Sequence, residues 1–178
     1  QALEEYFPAD RLRVIDIEDC DQLRPDDFDG RAIVVVATIQ TLRVDNTASR
    51  KVYAYKESFE PHFARLPKAD YFETVSENDL AEQPYLKSFD LGKVKFSFAN
   101  LLAHYRPIVI VDEAHNATSG LSTEALKRVR PACIIEWTAT PAKEQNVLYT
   151  VSADELKAEH MIKLPIVLQG HDNWQQAI

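Results

Sequence analysis

Two neighbouring acids with a histidine two positions later are the residues of this sequence best suited to chemistry. The tetrad Asp112-Glu113-Ala114-His115 directly follows a run of four β-branched residues, 108–111. Ligands of an open parallel sheet bind beyond the carboxyl ends of its strands, which is where these acids are expected. One carboxylate can hold a magnesium ion that neutralises phosphate charge, and its neighbour can polarise an attacking water. An Asp-Glu pair alone also fits a strand that ends in a solvated acidic turn.

Two other apolar runs end in short polar motifs. The run 133–137 is followed by Thr138-Ala139-Thr140-Pro141, which begins 26 residues after Asp112. The run 33–36 is followed by Ala37 and then by Thr38-Ile39-Gln40-Thr41-Leu42. Hydroxyl and amide groups can both donate and accept hydrogen bonds. Three strand ends that carry polar motifs predict one shared functional edge.

The elements that must position these motifs read as strands alternating with helices. The runs 33–36, 108–111 and 133–137 are apolar without alternation, which is typical of parallel strands covered on both faces. A further strand is expected at 14–17 and another at 164–168, and helices are expected at 122–129 and from the S-x-x-E capping box at Ser152 and Glu155 to about Met161. This order predicts an α/β fold with a mainly parallel sheet flanked by helices.

The segment 44–107 has a different character, because it holds eleven of the fifteen Phe and Tyr residues among many charges. We predict a helical and loop insertion that packs into a core, with one helical stripe from Val94 to Tyr105 closed by Pro107. Pro61 favours two short helices around residues 55–66, and 68–90 is expected to be an ordered loop or an insertion. Stacking of these aromatic rings on nucleic-acid bases is the alternative to packing.

Composition limits the classes of function. With 178 residues, 46% of them hydrophobic, the chain can bury a core, and its net charge of −8 argues against a basic coat for nucleic acid. Cys20 and Cys133 match neither a zinc motif nor a disulfide framework. No apolar run reaches the length of a membrane span, so a cytoplasmic protein is expected. The start at Gln1 and the single Met161 suggest a piece of a longer protein.

The polar motifs together resemble a known family. Asp112-Glu113-Ala114-His115 resembles motif II, the DEAH box, of superfamily 2 helicases and translocases, and Thr138-Ala139-Thr140-Pro141 resembles their motif III. The stretch 36–42 resembles the motif that contacts nucleic acid in the same motor domain. The segments 149–156 and 162–165 are most similar to the translocating, DNA-cleaving Res subunits of type III restriction enzymes.

The resemblance implies an ATP-dependent DNA helicase or translocase that uses ATP and Mg²⁺. In that family Asp112 would bind Mg²⁺ through water, and Glu113 would act as general base, so both belong to the nucleotide site. His115 would connect this site to motif III. The resemblance further implies that the effect of hydrolysis is transmitted to the nucleic-acid side by Thr138 and Thr140. It also implies that the phosphate backbone is contacted by Thr38, Gln40, Thr41 and Arg43.

The chain departs from the family at the phosphate loop. The motif G-x-x-x-x-G-K-[ST] is not found around any of the four glycines: Gly30, Gly92, Gly120 and Gly170. We therefore expect a partial RecA-like domain over 1–162 that lacks the phosphate-loop strand, and a connection toward a second motor domain over 163–178. The loss of that strand would expose residues 133–137 as an apolar edge, which another segment, a second copy or a rearrangement should cover.

The expected partners are DNA, with RNA not excluded, the phosphate-loop segment, the second motor domain and a modification or specificity subunit. A fragment that carries motifs II and III but lacks the phosphate loop would be inactive alone. Two alternatives stay open: a non-catalytic module that binds nucleic acid or protein with a motor-like fold, and a magnesium-dependent hydrolase that uses Asp112, Glu113 and His115 directly.

Overall fold

The computed structural model describes residues 7–8, 10–42, 51–64, 66–67, 69–117, 120–141, 145–159 and 161. The chain divides into two compact units, Gln1–Thr140 and Pro141–Ile178, which are described separately. Arg43, the expected strand 164–168 and the expected connection 163–178 lie outside the described residues.

Four strands form two parallel pairs in the first unit. Strand β1 (Leu12–Asp16) pairs with β2 (Ala32–Val36), and β3 (Ile108–Val111) pairs with β4 (Cys133–Glu136). The expected positions and parallel direction of these strands are confirmed. Within the described part of the chain the pairs remain two separate sheets, whereas the sequence predicted one sheet.

Short helices connect these strands. The α-helices of the first unit are α1 (Ile39–Leu42), α2 (Glu60–Phe63), α3 (Glu77–Glu82), α4 (Phe98–Tyr105) and α5 (Gly120–Val129), and α6 (Ala153–Ala158) lies in the second unit. The 3₁₀ segments are Ile17–Gln22, Pro25–Phe28, Glu57–Phe59, Ser88–Asp90 and Ala114–Ala117. Among the residues that the structure describes, no helix has the length and apolar character needed to span a bilayer.

Capping residues explain where the helices begin. Ser97 accepts a hydrogen bond from Asn100 N, and this cap starts α4 at Phe98. The helix therefore begins four residues after Val94, the first residue of the predicted apolar stripe. Val94 instead forms an antiparallel bridge with Thr74. The predicted capping box of Ser152 and Glu155 is confirmed, although α6 ends at Ala158 and not near Met161.

The aromatic segment packs into the core of the first unit. Tyr53, Phe59, Phe98 and Leu101 are fully buried together with Cys20, next to the β1–β2 sheet. The packing interpretation of the aromatic segment is therefore confirmed for these rings. Burial raises the pKa of the Cys20 thiol to about 11, so this cysteine is an inert core residue at neutral pH. Other rings of the segment stay exposed, most of all Phe89 and to a lesser extent Tyr85 and Tyr105.

The β3–β4 sheet is more exposed than its sequence predicted. Ile108 and Ile110 of β3 are each 66% exposed, and every residue of β4 is exposed. Apolar runs normally indicate burial on both faces, but in the described part of the chain no third strand adjoins this pair. Residues 133–137 were expected to be covered by another segment, a second copy or a rearrangement, but no described strand covers them.

Candidate nucleotide and nucleic-acid site

The acidic turn begins where β3 ends. Asp112 accepts a hydrogen bond from the backbone N–H of Glu113 at 2.9 Å, which closes the turn locally. Glu113 has a φ of 49°, a left-handed conformation that is uncommon for a residue with a side chain. Both acids are exposed, while Ala114 is buried and its N–H donates to Trp137 O at 3.0 Å. The end of β4 therefore holds the acidic turn in place.

His115 connects the acidic turn to the polar motif after β4. Its Nδ1 lies 3.2 Å from Glu113 Oε2 and 3.5 Å from Thr138 Oγ1. Thr138 Oγ1 in turn accepts a hydrogen bond from Thr140 N at 3.2 Å. The structure thus brings four predicted site residues into one chain of contacts. This arrangement follows from the parallel pairing, which places the carboxyl ends of β3 and β4 side by side.

The third polar motif lies at the carboxyl end of the other sheet. Thr38 Oγ1 and Thr41 Oγ1 are hydrogen-bonded at 3.0 Å, and Thr41 N donates to Thr38 O at 3.1 Å. Thr38 and Gln40 are exposed. Because β2 and β3 belong to different sheets in the described chain, strand pairing does not align this motif with the acidic turn as the sequence predicted.

Residues outside the predicted set link these two regions. Helix α1, which carries Gln40 and Thr41, packs against α5. Tyr53 donates a hydrogen bond to Leu42 O, and Arg128 of α5 lies over the Tyr53 ring. The available signals were the aromatic side chain and the basic end of α5, but neither identifies its partner.

The side chains available to a metal ion are few. Among the residues that the structure describes, no group of three or more His, Cys, Asp or Glu side chains could hold a metal. Mg²⁺ commonly takes only one or two carboxylates and completes its shell with water and phosphate oxygens. The exposed carboxylate of Asp112 fits that pattern, in which a bound nucleotide supplies the other ligands.

One comparison with known proteins gave a match. Residues 1–143, more than half of the chain, match the family model described as "Type III restriction enzyme, res subunit". The matched region includes all four strands and both polar motifs that meet at His115. The search of curated proteins and the search of solved structures each found no match.

Proposed function

Because the chain belongs to the family of type III restriction enzyme res subunits, we propose that it forms part of an ATP-dependent DNA translocase or helicase. The observation that carries this proposal is the contact of His115 with both Glu113 and Thr138. It joins the acidic turn, where ATP would be hydrolysed, to the motif that would transmit hydrolysis to the nucleic acid.

Each polar side chain of this site has a distinct proposed task. Glu113 accepts a proton from the attacking water, and its exposed carboxylate can reach a solvent molecule. Asp112 holds Mg²⁺, which when bound neutralises charge on the phosphate oxygens. His115 fixes the carboxylate of Glu113 relative to Thr138, and Thr140 orients the Thr138 hydroxyl through its N–H.

The motif after β2 is the proposed contact to the DNA backbone. Thr38 and Gln40 present neutral hydrogen-bonding groups to solvent, and Thr41 and Arg43 complete the proposed set. Phosphate contacts of this kind set the position of a nucleic acid without reading its sequence. The net charge of −8 confines such contacts to a local surface. An RNA substrate would use the same contacts. The proposed protein partner is a modification or specificity subunit that recognises the DNA site.

Hydrolysis also requires groups that this sequence does not contain. No G-x-x-x-x-G-K-[ST] motif occurs in the 178 residues, so we expect the phosphate loop and a second motor domain to be supplied from elsewhere. The chain alone should accordingly release no phosphate from ATP.

The decisive test replaces Glu113 by Gln in the complete translocase. We expect ATP turnover to fall by about 10²- to 10⁴-fold, the usual contribution of a general base, while ATP binding changes little. ATP hydrolysis is followed by phosphate release, and binding by equilibrium titration with a fluorescent ATP analogue. Glu124→Gln removes another exposed acid, which lies on α5, and should leave both quantities unchanged.

Normal turnover in the Glu113→Gln variant would remove Glu113 from the mechanism. Turnover by the 178-residue chain alone would instead support the magnesium-dependent hydrolase that uses the acidic turn directly. Each result identifies a different error in the proposal.

The non-catalytic module remains the second candidate, because the β3–β4 sheet exposes apolar side chains of the kind that bind another protein element. The two candidates differ in their dependence on Glu113. A module that only binds would keep its full biological activity in the Glu113→Gln variant, whereas a motor would lose it.

A further inference from the structure

Helix α1 is too short to be stable by itself. It has four residues, and an isolated helix of that length does not form in water. The carbonyls in its last turn also lack partners within the helix. One of them, Leu42 O, accepts a hydrogen bond of 2.8 Å from the hydroxyl of Tyr53. This hydrogen bond from outside the helix therefore fixes its carboxyl end.

Tyr53 is itself held rigidly. It is fully buried, and its neighbour Val52 accepts a hydrogen bond from Ala99 N at 3.0 Å at the start of α4. Burial raises the pKa of the Tyr53 phenol, so the hydroxyl keeps the proton that it donates. The phenol therefore acts as a fixed donor toward α1.

The same ring also contacts α5. The guanidinium carbon of Arg128 lies 5.7 Å from the centre of the Tyr53 ring, within the range of a cation–π contact. Arg128 Nε is also 3.9 Å from Glu73 Oε1, which restrains the guanidinium. Because α5 packs against α1, Tyr53 joins both helices. Helix α5 begins three residues after the 3₁₀ segment that contains His115.

We infer that Tyr53 is a positioning residue that keeps α1, with Gln40 and Thr41, in the orientation needed to bind nucleic acid. It acts through Leu42 O and touches no substrate itself. Arg128 supports the ring and connects it to the helix that follows the acidic turn. This inference rests on the proposed function, because it assigns a consequence to the nucleic-acid contact of α1.

The test uses Tyr53→Phe in the complete translocase, because Phe keeps the buried ring and removes only the hydroxyl. Loss of the hydrogen bond should raise about fivefold the DNA concentration that half-maximally stimulates ATP hydrolysis, a factor equivalent to about 1 kcal/mol. ATP turnover without DNA should stay unchanged, because the acidic turn keeps its contacts.

A matched control exists in the same segment. Tyr85 also donates from its hydroxyl to a backbone carbonyl, Tyr55 O, at the same distance of 2.8 Å. Tyr85→Phe therefore removes a bond of the same type and length that does not involve α1, although Tyr85 is 44% exposed and Tyr53 is fully buried. We expect its DNA dependence to match that of the unmodified protein. A second variant, Arg128→Lys, keeps the charge but loses the planar group over the ring and should weaken DNA stimulation in the same direction.

The combination Tyr53→Phe with Arg128→Lys tests whether the two residues act together. We expect the double variant to lose less than the sum of the two single effects, because both changes loosen the same contact. Fully additive effects would remove Arg128 from the inference.

The outcomes separate this inference from the proposed function. An unmodified protein that neither binds DNA nor responds to it would overturn the proposed function and the inference with it. A DNA response that is the same in Tyr53→Phe and the unmodified protein would overturn the inference alone. A parallel loss of DNA-free turnover in Tyr53→Phe would also overturn it, because that result indicates a general structural role.

Discussion

At the scale of single residues, the first unit contains a buried ion pair. Lys95 Nζ lies 2.6 Å from Asp79 Oδ1, and both side chains are almost fully buried. Burial of the Asp79 carboxyl raises its pKa, but the bonds from Lys95 and Ser76 lower it by more, so the pKa lies below its ordinary value. The pair joins α3, which contains Asp79, to the extended segment before α4, which contains Lys95.

Removal of one partner should be costly. Lys95→Met leaves the Asp79 carboxylate buried without its cation, and we expect a loss of about 3–5 kcal/mol in the free energy of unfolding. Urea denaturation at pH 7 followed by circular dichroism measures this loss. Lys93→Met is the matched control, because Lys93 pairs with Asp90 at the surface and its removal should shift the urea midpoint little.

A second comparison identifies the cause. The double variant Lys95→Met with Asp79→Asn should be more stable than Lys95→Met alone, since no buried charge is left unpaired. If Lys95→Met and Lys93→Met lost the same free energy, the buried pair would have no special role in stability.

The sequence predicted the position of the acidic turn but not the buried polar contacts that hold the aromatic segment together. Asp112 and Glu113 could be placed because a strand end is a local feature of the sequence. Lys95 and Asn100 could not, because their partners lie 16 and 27 residues away and depend on how the aromatic segment packs. Asn100 holds both the N–H and the carbonyl of Glu73, and its own position in the helical stripe gives no sign of this.

At the scale of elements, two helices enter the β3–β4 sheet through the same kind of joint. Helix α4 is followed by Arg106 with a φ of 50° and then by Pro107, and α5 is followed by Arg130 with a φ of 49° and then by Pro131. A left-handed residue ends a helix, and the following proline cannot continue it. Each joint thus turns the chain from a helix into a parallel strand.

The two joints should respond differently to glycine. Arg106 is exposed, so Arg106→Gly mainly relieves the cost of a left-handed residue, and we expect a gain of about 0.5–1 kcal/mol in the free energy of unfolding. Arg130 lies over the Tyr71 ring at 3.8 Å, so Arg130→Gly also loses a cation–π contact. Thermal unfolding of both variants measures the difference. A loss of stability in Arg106→Gly would show that its left-handed backbone carries no relievable cost.

Most element positions followed from the sequence because they depend on local signals. Three apolar runs located β2, β3 and β4, the strand expected at 14–17 is found at Leu12–Asp16, and Pro107 correctly marked the end of α4. The short helix α3 was missed, because residues 77–82 lie in a segment that was expected to be a loop. A helix of six residues is too short to give a clear apolar periodicity. The burial of β3 and β4 was also predicted wrongly. An apolar run shows that a strand tends to be buried, but it does not show whether another element packs against it.

At the scale of the whole molecule, Asp27 joins the first sheet to the loop between its strands. Its carboxylate binds Arg13 of β1 and lies 3.2 Å from Arg31, which directly precedes β2. It also accepts a hydrogen bond from Arg24 N at 2.8 Å. Burial raises the pKa of Asp27, but the bond from Arg24 and the two guanidinium groups lower it by more, so the net pKa lies below its ordinary value.

These carboxylates should make the first unit sensitive to acid. The folded-state pKa values of Asp27 and Asp79 are lowered, so the unfolded chain takes up protons first as the pH falls. The stability that they contribute is complete above the unfolded pKa of about 4 and is lost as the pH falls through the lower folded values.

We therefore expect the free energy of unfolding, measured with urea, to decrease from pH 5 toward pH 2. Asp27→Asn should be less stable at pH 7 yet lose less on acidification, because one of the carboxyls with a lowered pKa is absent. An unfolding free energy that is equally steep against pH in Asp27→Asn and in the unmodified protein would exclude Asp27 as a source of the acid sensitivity. A profile that is flat in both would show that neither Asp27 nor Asp79 makes the first unit sensitive to acid.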